Sequence, residues 1–342
     1  MTTYLQWLAR ETVTAWWHDS ADPDELGRGL AQGAVGVTTN PVLTYLALRA
    51  HPERWARALQ PLPDGLGPEE RAQEWMGVVV RSAAERLLPV YERTGGEQGY
   101  VCAQVNPARA ADAKTMIAMA RRFSAWAPNI AVKLPATATG LDVLEKCATE
   151  GITVTATVSF TVSQAIAIAE RYRRGLARAR ATGKATGRCF AVLMVGRLDD
   201  YLRDIAWDRK AEAGEADIRQ AGLAVAKRAY ALYRERCYEA TLLVAALRGT
   251  YHMEELAGAD IVMSIHPTIQ TALLQPGIPR ECRIDVPVPA DTIARLARLP
   301  EFVKAYEPDG MKPEEFLAFG LTQRTLIQFA ESGWRLLESY KG

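Results

Sequence analysis

Short apolar runs, separated by longer amphipathic segments, recur along the chain and restrict its fold more than any other feature. Several runs are continuous rather than alternating, which is typical of parallel strands buried on both faces. The predicted strands are Thr14–Asp19, Gly36–Thr39, Val101–Val105, Ile130–Leu134, Thr153–Val158, Phe190–Val195, Leu242–Ala246 and Ile261–Ile265. Eight strands alternating with helices predict an α/β fold closed into a (β/α)8 TIM barrel, and an open doubly wound sheet is the alternative.

Helical periodicity and capping residues predict the segments between the strands. The predicted helices are Asp22–Gln32, Pro107–Ala125, Leu141–Thr149, Ser163–Ala181, Glu254–Ala257, Thr268–Leu274 and Glu314–Tyr340, with a long helix around the apolar stripe from Ile218 to Leu232. The length suits one domain, residues 1–342, without an internal repeat or linker. We expect decorations at about 50–68 and 275–342, with loops and short helices over 50–68 and 275–310. The C-terminal helix is expected to pack on the barrel.

Composition excludes several classes of protein. The formal net charge of +1 argues against a general nucleic-acid binder. The five cysteines form no CxxC pair and the four histidines form no HExxH pattern, so we expect a reduced, cytoplasmic protein without a disulfide framework or a metal site. No leader is evident, and no apolar run approaches the roughly 18 residues of a membrane span. The sequence leaves open whether the chain forms a homo-oligomer.

Polar residues follow most of the predicted strands. In a (β/α)8 barrel, the chemistry lies at the carboxyl ends of the strands. The polar residues there are Asp19, Thr38, Thr39, Asn40, Gln104, Asn106, Lys133, Thr155, Thr157, Arg197, Arg248, Ser264 and His266. One polar residue at the end of a strand means little, but this many indicate a shared site.

Lys133 is the most informative of these residues, because it lies in an apolar strand just before Pro135. Burial disfavours the charged form of an amine, and a neutral amine attacks carbonyl groups. Lys133 is therefore a candidate Schiff-base nucleophile. The alternative is a lysine at the end of a strand whose amine reaches water. The polar residues around it favour the nucleophile.

Several motifs resemble the transaldolase family. They are Asp19-Ser20, Gly36-Val37-Thr38-Thr39-Asn40-Pro41, Val132-Lys133-Leu134-Pro135-Ala136-Thr137 and Val195-Gly196-Arg197. Their order and spacing match from about Trp16 to Leu274. The resemblance implies Schiff-base aldol chemistry on a (β/α)8 barrel, with a sugar or sugar-phosphate substrate and no metal or organic cofactor.

The resemblance also implies catalytic roles. Lys133 would form an imine with a ketose, Asp19 would move a substrate hydroxyl proton, and Thr157 would position the catalytic water. The second acid of transaldolases, a glutamate, aligns with Gln104. A glutamine can hold a water but cannot transfer protons at neutral pH. A glutamine at this position is found in the fructose-6-phosphate aldolase branch, which cleaves and adds rather than transfers.

The remaining site residues are predicted to bind substrate. Asn40 would orient substrate hydroxyls, and Thr38 and Thr155 lie on the same rim. Arg197 and Arg248 match the phosphate-binding arginines of the family, where two guanidinium groups would clamp a phosphate or another anionic tail.

Three further positions depart from the family pattern. Val192 and Ala246 stand where transaldolases have serines, and Met194 stands where the aldolase branch has a tyrosine. A pocket without these polar groups should bind fewer sugar hydroxyls or a less polar substrate.

We therefore predict a transaldolase-like aldol transferase or aldolase of carbohydrate metabolism, such as the pentose phosphate pathway. The alternatives are a fructose-6-phosphate aldolase-like enzyme, an aldolase of specialised metabolism acting on an unusual carbonyl, and a non-catalytic sugar-phosphate binder.

Overall fold

Eight parallel strands close into a barrel in the computed structural model, which describes residues 2–58 and 65–341. The strands are β1 (Ala15–His18), β2 (Gly36–Val37), β3 (Tyr100–Gln104), β4 (Ile130–Pro135), β5 (Val154–Thr157), β6 (Cys189–Met194), β7 (Thr241–Ala245) and β8 (Val262–Ile265). Each strand pairs with the next in the chain, and β8 pairs with β1. The closed barrel confirms the predicted fold class, and the open doubly wound sheet is wrong.

Helices surround the barrel and connect its strands. They are α1 (Tyr4–Glu11), α2 (Pro23–Ala31), α3 (Pro41–Ala50), α4 (Pro52–Ala58), α5 (Pro68–Arg93), α6 (Ala113–Ser124), α7 (Ala138–Thr149), α8 (Val162–Ala181), α9 (Val195–Asp208), α10 (Glu215–Glu235), α11 (Thr250–Leu256), α12 (Pro267–Leu273), α13 (Ala290–Leu296), α14 (Pro300–Tyr306), α15 (Gly320–Phe329) and α16 (Arg335–Ser339). Short 3-10 turns lie at Pro107–Arg109 and Pro313–Glu315, and a π-helical turn, Ala330–Trp334, joins α15 to α16. Within the described residues, no helix is both long and apolar enough to cross a membrane.

Two predicted helices need correction. The helix predicted over Pro107–Ala125 is divided, because the 3-10 turn at Pro107–Arg109 ends before α6 begins at Ala113 with Asp112 as its cap. The helix predicted from Glu314 begins at Gly320, because the preceding residues form a separate 3-10 turn. The short helices predicted within 275–310 are confirmed by α13 and α14. Of the decoration predicted at about 50–68, residues 59–64 lie outside the described part of the chain.

Large aromatic side chains fill the amino-terminal half of the barrel interior. The ring of Phe190 lies 4.6 Å from that of Trp17 and 5.5 Å from that of Tyr100, both in edge contact. A Cβ atom on Gly36 would lie 2.5 Å from the Trp17 ring, so this strand position needs a glycine. Because the aromatic layer closes the lower half, the barrel interior opens to solvent near the carboxyl ends of the strands.

The C-terminal helical segment packs across α3 and α5. The indole Nε1 of Trp75 donates to the carbonyl of Tyr340 at 3.2 Å. A Cβ on Gly333 would lie 2.6 Å from the backbone nitrogen of Val42, so the π-helical turn approaches the start of α3 at backbone distance. This packing confirms the predicted position of the C-terminal helix, and it brings Phe329 to the carboxyl end of the barrel.

Candidate active site

A cavity of about 400 Å³ opens at the carboxyl end of the barrel. This size falls in the range of small-molecule sites. Its lining residues are Asp19, Thr38, Asn40, Lys133, Thr157, Val192, Met194, Arg197, Leu243, Ala245, Ala246, Leu247, Arg248, Ser264, His266, Thr268, Ile269 and Phe329. Seven of the nine residues predicted for the site therefore lie around one space.

Lys133 is buried near the end of β4, with 6% of the residue exposed. Its Nζ donates a hydrogen bond to the carbonyl oxygen of Thr39 at 3.1 Å. The amine therefore turns inward into the cavity rather than reaching the surrounding solvent. This geometry disfavours the alternative of a lysine that extends to water at the end of a strand.

Asp19 is held by a chain of two hydroxyl groups. Thr38 donates its hydroxyl proton to Oδ1 of Asp19 at 2.7 Å. The hydroxyls of Thr38 and Ser264 lie 2.5 Å apart, and because the proton of Thr38 is already donated, Ser264 is the donor in this second bond. The chain leaves Oδ2 of Asp19 as the oxygen that can accept a proton from a bound molecule.

The side-chain oxygen of Asn40 is already hydrogen-bonded to the backbone. It is the N-cap of α3, and its Oδ1 accepts hydrogen bonds from the backbone N–H groups of Val42 and Leu43 at 2.9 and 3.0 Å. The cap fixes the orientation of the amide, so the group left for a ligand is the Nδ2 donor.

Thr157 is buried at the end of β5, and among the described residues its hydroxyl donates a hydrogen bond only to the sulfur of Met194, at 3.9 Å. A thioether is a weak acceptor, so the hydroxyl proton is available to a water or a substrate. Val158 follows with φ +56°, a backbone conformation that a β-branched side chain rarely adopts. The backbone is thus strained directly beside this hydroxyl.

Two of the predicted site residues, Gln104 and Thr155, do not line the cavity. Gln104 and Thr155 are the register partners of Lys133 on β3 and β5, but both are buried and outside the lining. The Oε1 atom of Gln104 has no hydrogen-bond partner within the described residues. Thr155 contacts the Sγ of Cys102 at 3.5 Å. Thr155 is thus placed to support the layer around Lys133 rather than to touch a ligand.

The wall formed by β6 and β7 is apolar. It consists of Val192 and Met194 on β6 with Leu243 and Ala245 on β7, and Ala246 follows at φ +57°. The positions where the family has polar groups are therefore part of a continuous apolar surface, which favours a carbon-rich portion of a ligand.

Arg197 lies half-buried at the edge of the cavity, in the first turn of α9. Its Nη1 donates to Oε1 of Gln328 at 2.6 Å, and its guanidinium stacks on the ring of Phe329 at 5.1 Å. Burial, together with the neighbouring positive charge of Arg248, lowers the pKa of Arg197 to about 10. An anion bound here would relieve the repulsion between the two cations.

Arg248 already has an internal partner. Its Nε and Nη2 donate to Oδ2 of Asp200 at 2.8 and 2.7 Å, and its Nη1 donates to the carbonyls of Ala246 and Leu247. Burial raises the pKa of Asp200, but hydrogen bonds from Arg248 and Arg203 hold it below its ordinary value. Arg248 therefore has few free N–H donors for a ligand, whereas Arg197 has more free N–H donors.

Gly196 lets the start of α9, which carries Arg197, approach the β7–α11 loop, which carries Arg248. A Cβ on Gly196 would lie 2.2 Å from the carbonyl oxygen of Ala246 and 2.6 Å from Cγ of Arg248. The buried pair Asp199 and His252 also joins these two segments, because Nδ1 of His252 accepts from the backbone N–H of Arg248 at 3.1 Å and Nε2 contacts Asp199 at 3.1 Å. The two arginines are thus held by close packing and buried hydrogen bonds.

Sequence analysis missed two contributors to the site. Asp200 binds Arg248, which lies 48 residues later in the chain, and no local spacing in the sequence signals this pair. Phe329 comes from the C-terminal segment, and no local signal in the sequence places it near the barrel. Elsewhere, the ligand atoms of Asp22, Asp24 and His51 lie within 4.8 Å of one another, but these residues do not line the cavity.

Comparison with known proteins agrees with the motifs. The family model described as transaldolase/fructose-6-phosphate aldolase matches residues 16–332. Transaldolase 1 of Streptomyces avermitilis is 33% identical over 246 residues, covering 68% of this chain and 64% of the relative. The transaldolase of Thiobacillus denitrificans is 34% identical over 248 residues, covering 68% of each chain. The chain thus spans just under two thirds of the length of the Streptomyces relative.

Proposed function

The chain belongs to the transaldolase/fructose-6-phosphate aldolase family, and we propose that it catalyses aldol chemistry on a ketose or ketose phosphate through an imine at Lys133. One observation carries this proposal: buried Lys133 lines the same cavity as Asp19 and Arg197, so its amine shares that space with a carboxylate and a guanidinium group. A nucleophile, a proton acceptor and an anion site are what such a reaction requires. A cytoplasmic location, a single domain and assembly into a homo-oligomer stay predictions from the sequence.

The first step would use Lys133 as the nucleophile. Its neutral amine attacks the ketose carbonyl carbon, the adduct loses one water to give an imine, and the imine takes up one proton from solvent to become an iminium ion. The inward position of Nζ, near the carbonyl of Thr39, supports this role because it presents the amine to the cavity. The Thr157 hydroxyl would hold the water that leaves, and later the water that hydrolyses the imine.

Asp19 would accept the proton in the cleavage step. Its carboxylate removes the proton of the hydroxyl on the carbon at the far end of the bond that breaks, and that carbon becomes the aldehyde carbonyl. The electron pair of the broken carbon–carbon bond becomes the double bond of an enamine on Lys133, the π electrons of the iminium group move to its nitrogen, and the aldehyde departs. The hydrogen bond from Thr38 supports this role because it orients the carboxylate without using both of its oxygens.

Arg197 would bind the anionic tail of the substrate. Its proximity to Arg248 leaves positive charge in excess over the single carboxylate of Asp200 at this edge. A second cavity, lined by Arg197, Arg248, Arg324 and Asp200 together with Gln328, adjoins the first. A phosphate bound by Arg197 would therefore lie between these cavities, with Arg248 contributing mainly charge.

Cleavage and transfer differ in the fate of the enamine once the aldehyde has departed. Gln104 matches the glutamine of the fructose-6-phosphate aldolase branch, so we favour simple cleavage and addition over transfer. Simple cleavage also requires the enamine to take up a proton, which a bound water would supply because glutamine cannot transfer protons at neutral pH. Triose release from fructose 6-phosphate, measured with and without erythrose 4-phosphate, separates the two reactions. We expect release without the acceptor. Release that depends on the acceptor would instead assign a transaldolase, and no turnover of either kind would contradict the proposal.

A non-catalytic sugar-phosphate binder is the second candidate, favoured by the apolar residues Val192, Met194 and Ala246 on the cavity wall. For a binder, sugar phosphate would raise the melting temperature equally in the parent and in Lys133→Ala. For the enzyme, the same substitution abolishes turnover.

A further inference from the structure

His266 is a polar group of the cavity to which the proposed chemistry assigns no role. It follows β8 directly, and its exposed ring lines the cavity. The backbone N–H of Asp19 donates to the carbonyl of Ile265 at 3.1 Å, so His266 and Asp19 stand at neighbouring strand ends. A ligand that reaches the Asp19 carboxylate thus also comes near the imidazole.

The hydrogen bond at Nδ1 selects the tautomer of the His266 ring. Nδ1 accepts from the backbone N–H of Thr268 at 3.3 Å, where His266 caps α12. In the neutral ring, the proton therefore lies on Nε2. Within the described part of the chain, Nε2 makes no hydrogen bond, so it presents one unused N–H donor at the cavity mouth.

Most of the other polar groups on this side are already engaged. Thr38 donates to Asp19, Ser264 donates to Thr38, and Arg248 is bound to Asp200. An oxygen of the substrate on this side would therefore find the Nε2–H of His266 as a ready neutral donor, beside the Nδ2 of Asn40 and the hydroxyl of Thr268, which also line the cavity.

The barrel geometry indicates which part of the substrate reaches His266. In a ring of eight strands, β8 lies opposite β4, which carries Lys133. A ketose joined to Lys133 through its carbonyl carbon would extend across the barrel, so that the carbons between the imine and the anionic tail pass Asp19 and His266. These carbons belong to the fragment that departs as an aldehyde.

We propose that His266 is a specificity-determining residue whose Nε2–H donates a hydrogen bond to a hydroxyl oxygen of the departing aldehyde fragment. This inference rests on the proposed function, and it deepens it by naming the aldehydes preferred: those hydroxylated beside the carbonyl, over their deoxy analogues.

Two substitutions distinguish the role of Nδ1 of His266, which caps the helix, from that of Nε2, which is the free donor. Asparagine places a side-chain oxygen near the position of Nδ1, so His266→Asn keeps the helix cap and removes the distal donor. Glutamine places an amide N–H near the position of Nε2, so His266→Gln keeps the donor and weakens the cap. If His266 served only as the helix cap, His266→Gln would have the larger effect and His266→Asn the smaller.

The assay is aldol addition of dihydroxyacetone to glyceraldehyde or to propanal, and the readout is the ratio of the two kcat/KM values. We expect His266→Asn to lower the ratio by roughly threefold to tenfold, the effect of one neutral hydrogen bond, and His266→Gln to lower it less. An unchanged ratio in His266→Asn would overturn the inference alone if borohydride still traps dihydroxyacetone on Lys133. If the parent protein traps none, the proposed function fails and this inference fails with it.

Discussion

Gly196 offers the sharpest test of how the start of α9 and the loop that carries Arg248 position the two arginines. In Gly196→Ala, the added Cβ would lie 2.2 Å from the carbonyl oxygen of Ala246 and 2.6 Å from Cγ of Arg248. Non-bonded atoms need more than about 3 Å, so the start of α9 and the loop that carries Arg248 must separate by about 1 Å. Both obstacles belong to the loop that carries Arg248, and one of them is backbone, so side-chain rotation alone cannot relieve the overlap.

The expected loss in Gly196→Ala follows from this displacement. Overpacking of a rigid contact costs about 1–3 kcal/mol of stability. A displacement of about 1 Å in a substrate-positioning group lowers kcat/KM roughly hundredfold. We expect both effects, measured by thermal unfolding and by cleavage of fructose 6-phosphate. Imine formation with dihydroxyacetone, which has no phosphate, should persist, because Lys133 lies on another strand.

Gly214→Ala is the matched control. A Cβ on Gly214 would meet no atom within 4 Å, and its φ of −84° suits alanine. This variant can lose up to about 1 kcal/mol because Gly214 caps α10, but it should keep its kcat/KM. If Gly196→Ala retained the activity of this control, the idea that close backbone approach positions the arginines would be wrong.

Three further predictions address other parts of the molecule. Burial lowers the pKa of His18, so the unfolded chain binds more protons than the folded protein once the pH falls below about 6.5. The free energy of unfolding should therefore fall by up to about 1.4 kcal/mol per pH unit. Urea unfolding measured from about pH 6.5 to about pH 5 should show a weaker pH dependence of this free energy in His18→Asn, and an equal pH dependence would contradict the prediction. Arg197→Gln should raise KM for fructose 6-phosphate at least about tenfold but leave that for unphosphorylated fructose within about twofold; equal changes in steady-state kinetics would argue against an anion site. Ala246→Gly should raise the unfolding free energy by about 1 kcal/mol, because glycine tolerates its φ of +57°, and a lower melting temperature would refute the strain.

The strands could be predicted from the sequence because parallel strands covered on both faces leave a local signal. Each of the eight lies where an apolar run predicted it, although β2 has only two residues, Gly36–Val37. The 26-residue helix α5 was not predicted. Its sequence contains Gly77 and Pro89, which weaken a helix locally, and packing against the barrel offsets that weakness.

The site residues that lie at the ends of strands could be predicted from the sequence. Lys133, Asp19 and Arg197 follow from strand positions together with the family motifs. Contacts between distant segments left no such signal. Asp200 became a partner of Arg248 only through folding, and Phe329 reaches the cavity from a segment 132 residues after Arg197.

Borohydride reduction in the presence of dihydroxyacetone tests the imine at Lys133 most directly. Peptide mass spectrometry should find the reduced adduct on the peptide that contains Lys133, and it should be absent from Lys133→Met. The exposed Lys146 provides the control, since Lys146→Met should be labelled like the parent protein. An adduct confined to exposed lysines, or none on the folded protein with any ketose tested, would contradict the account.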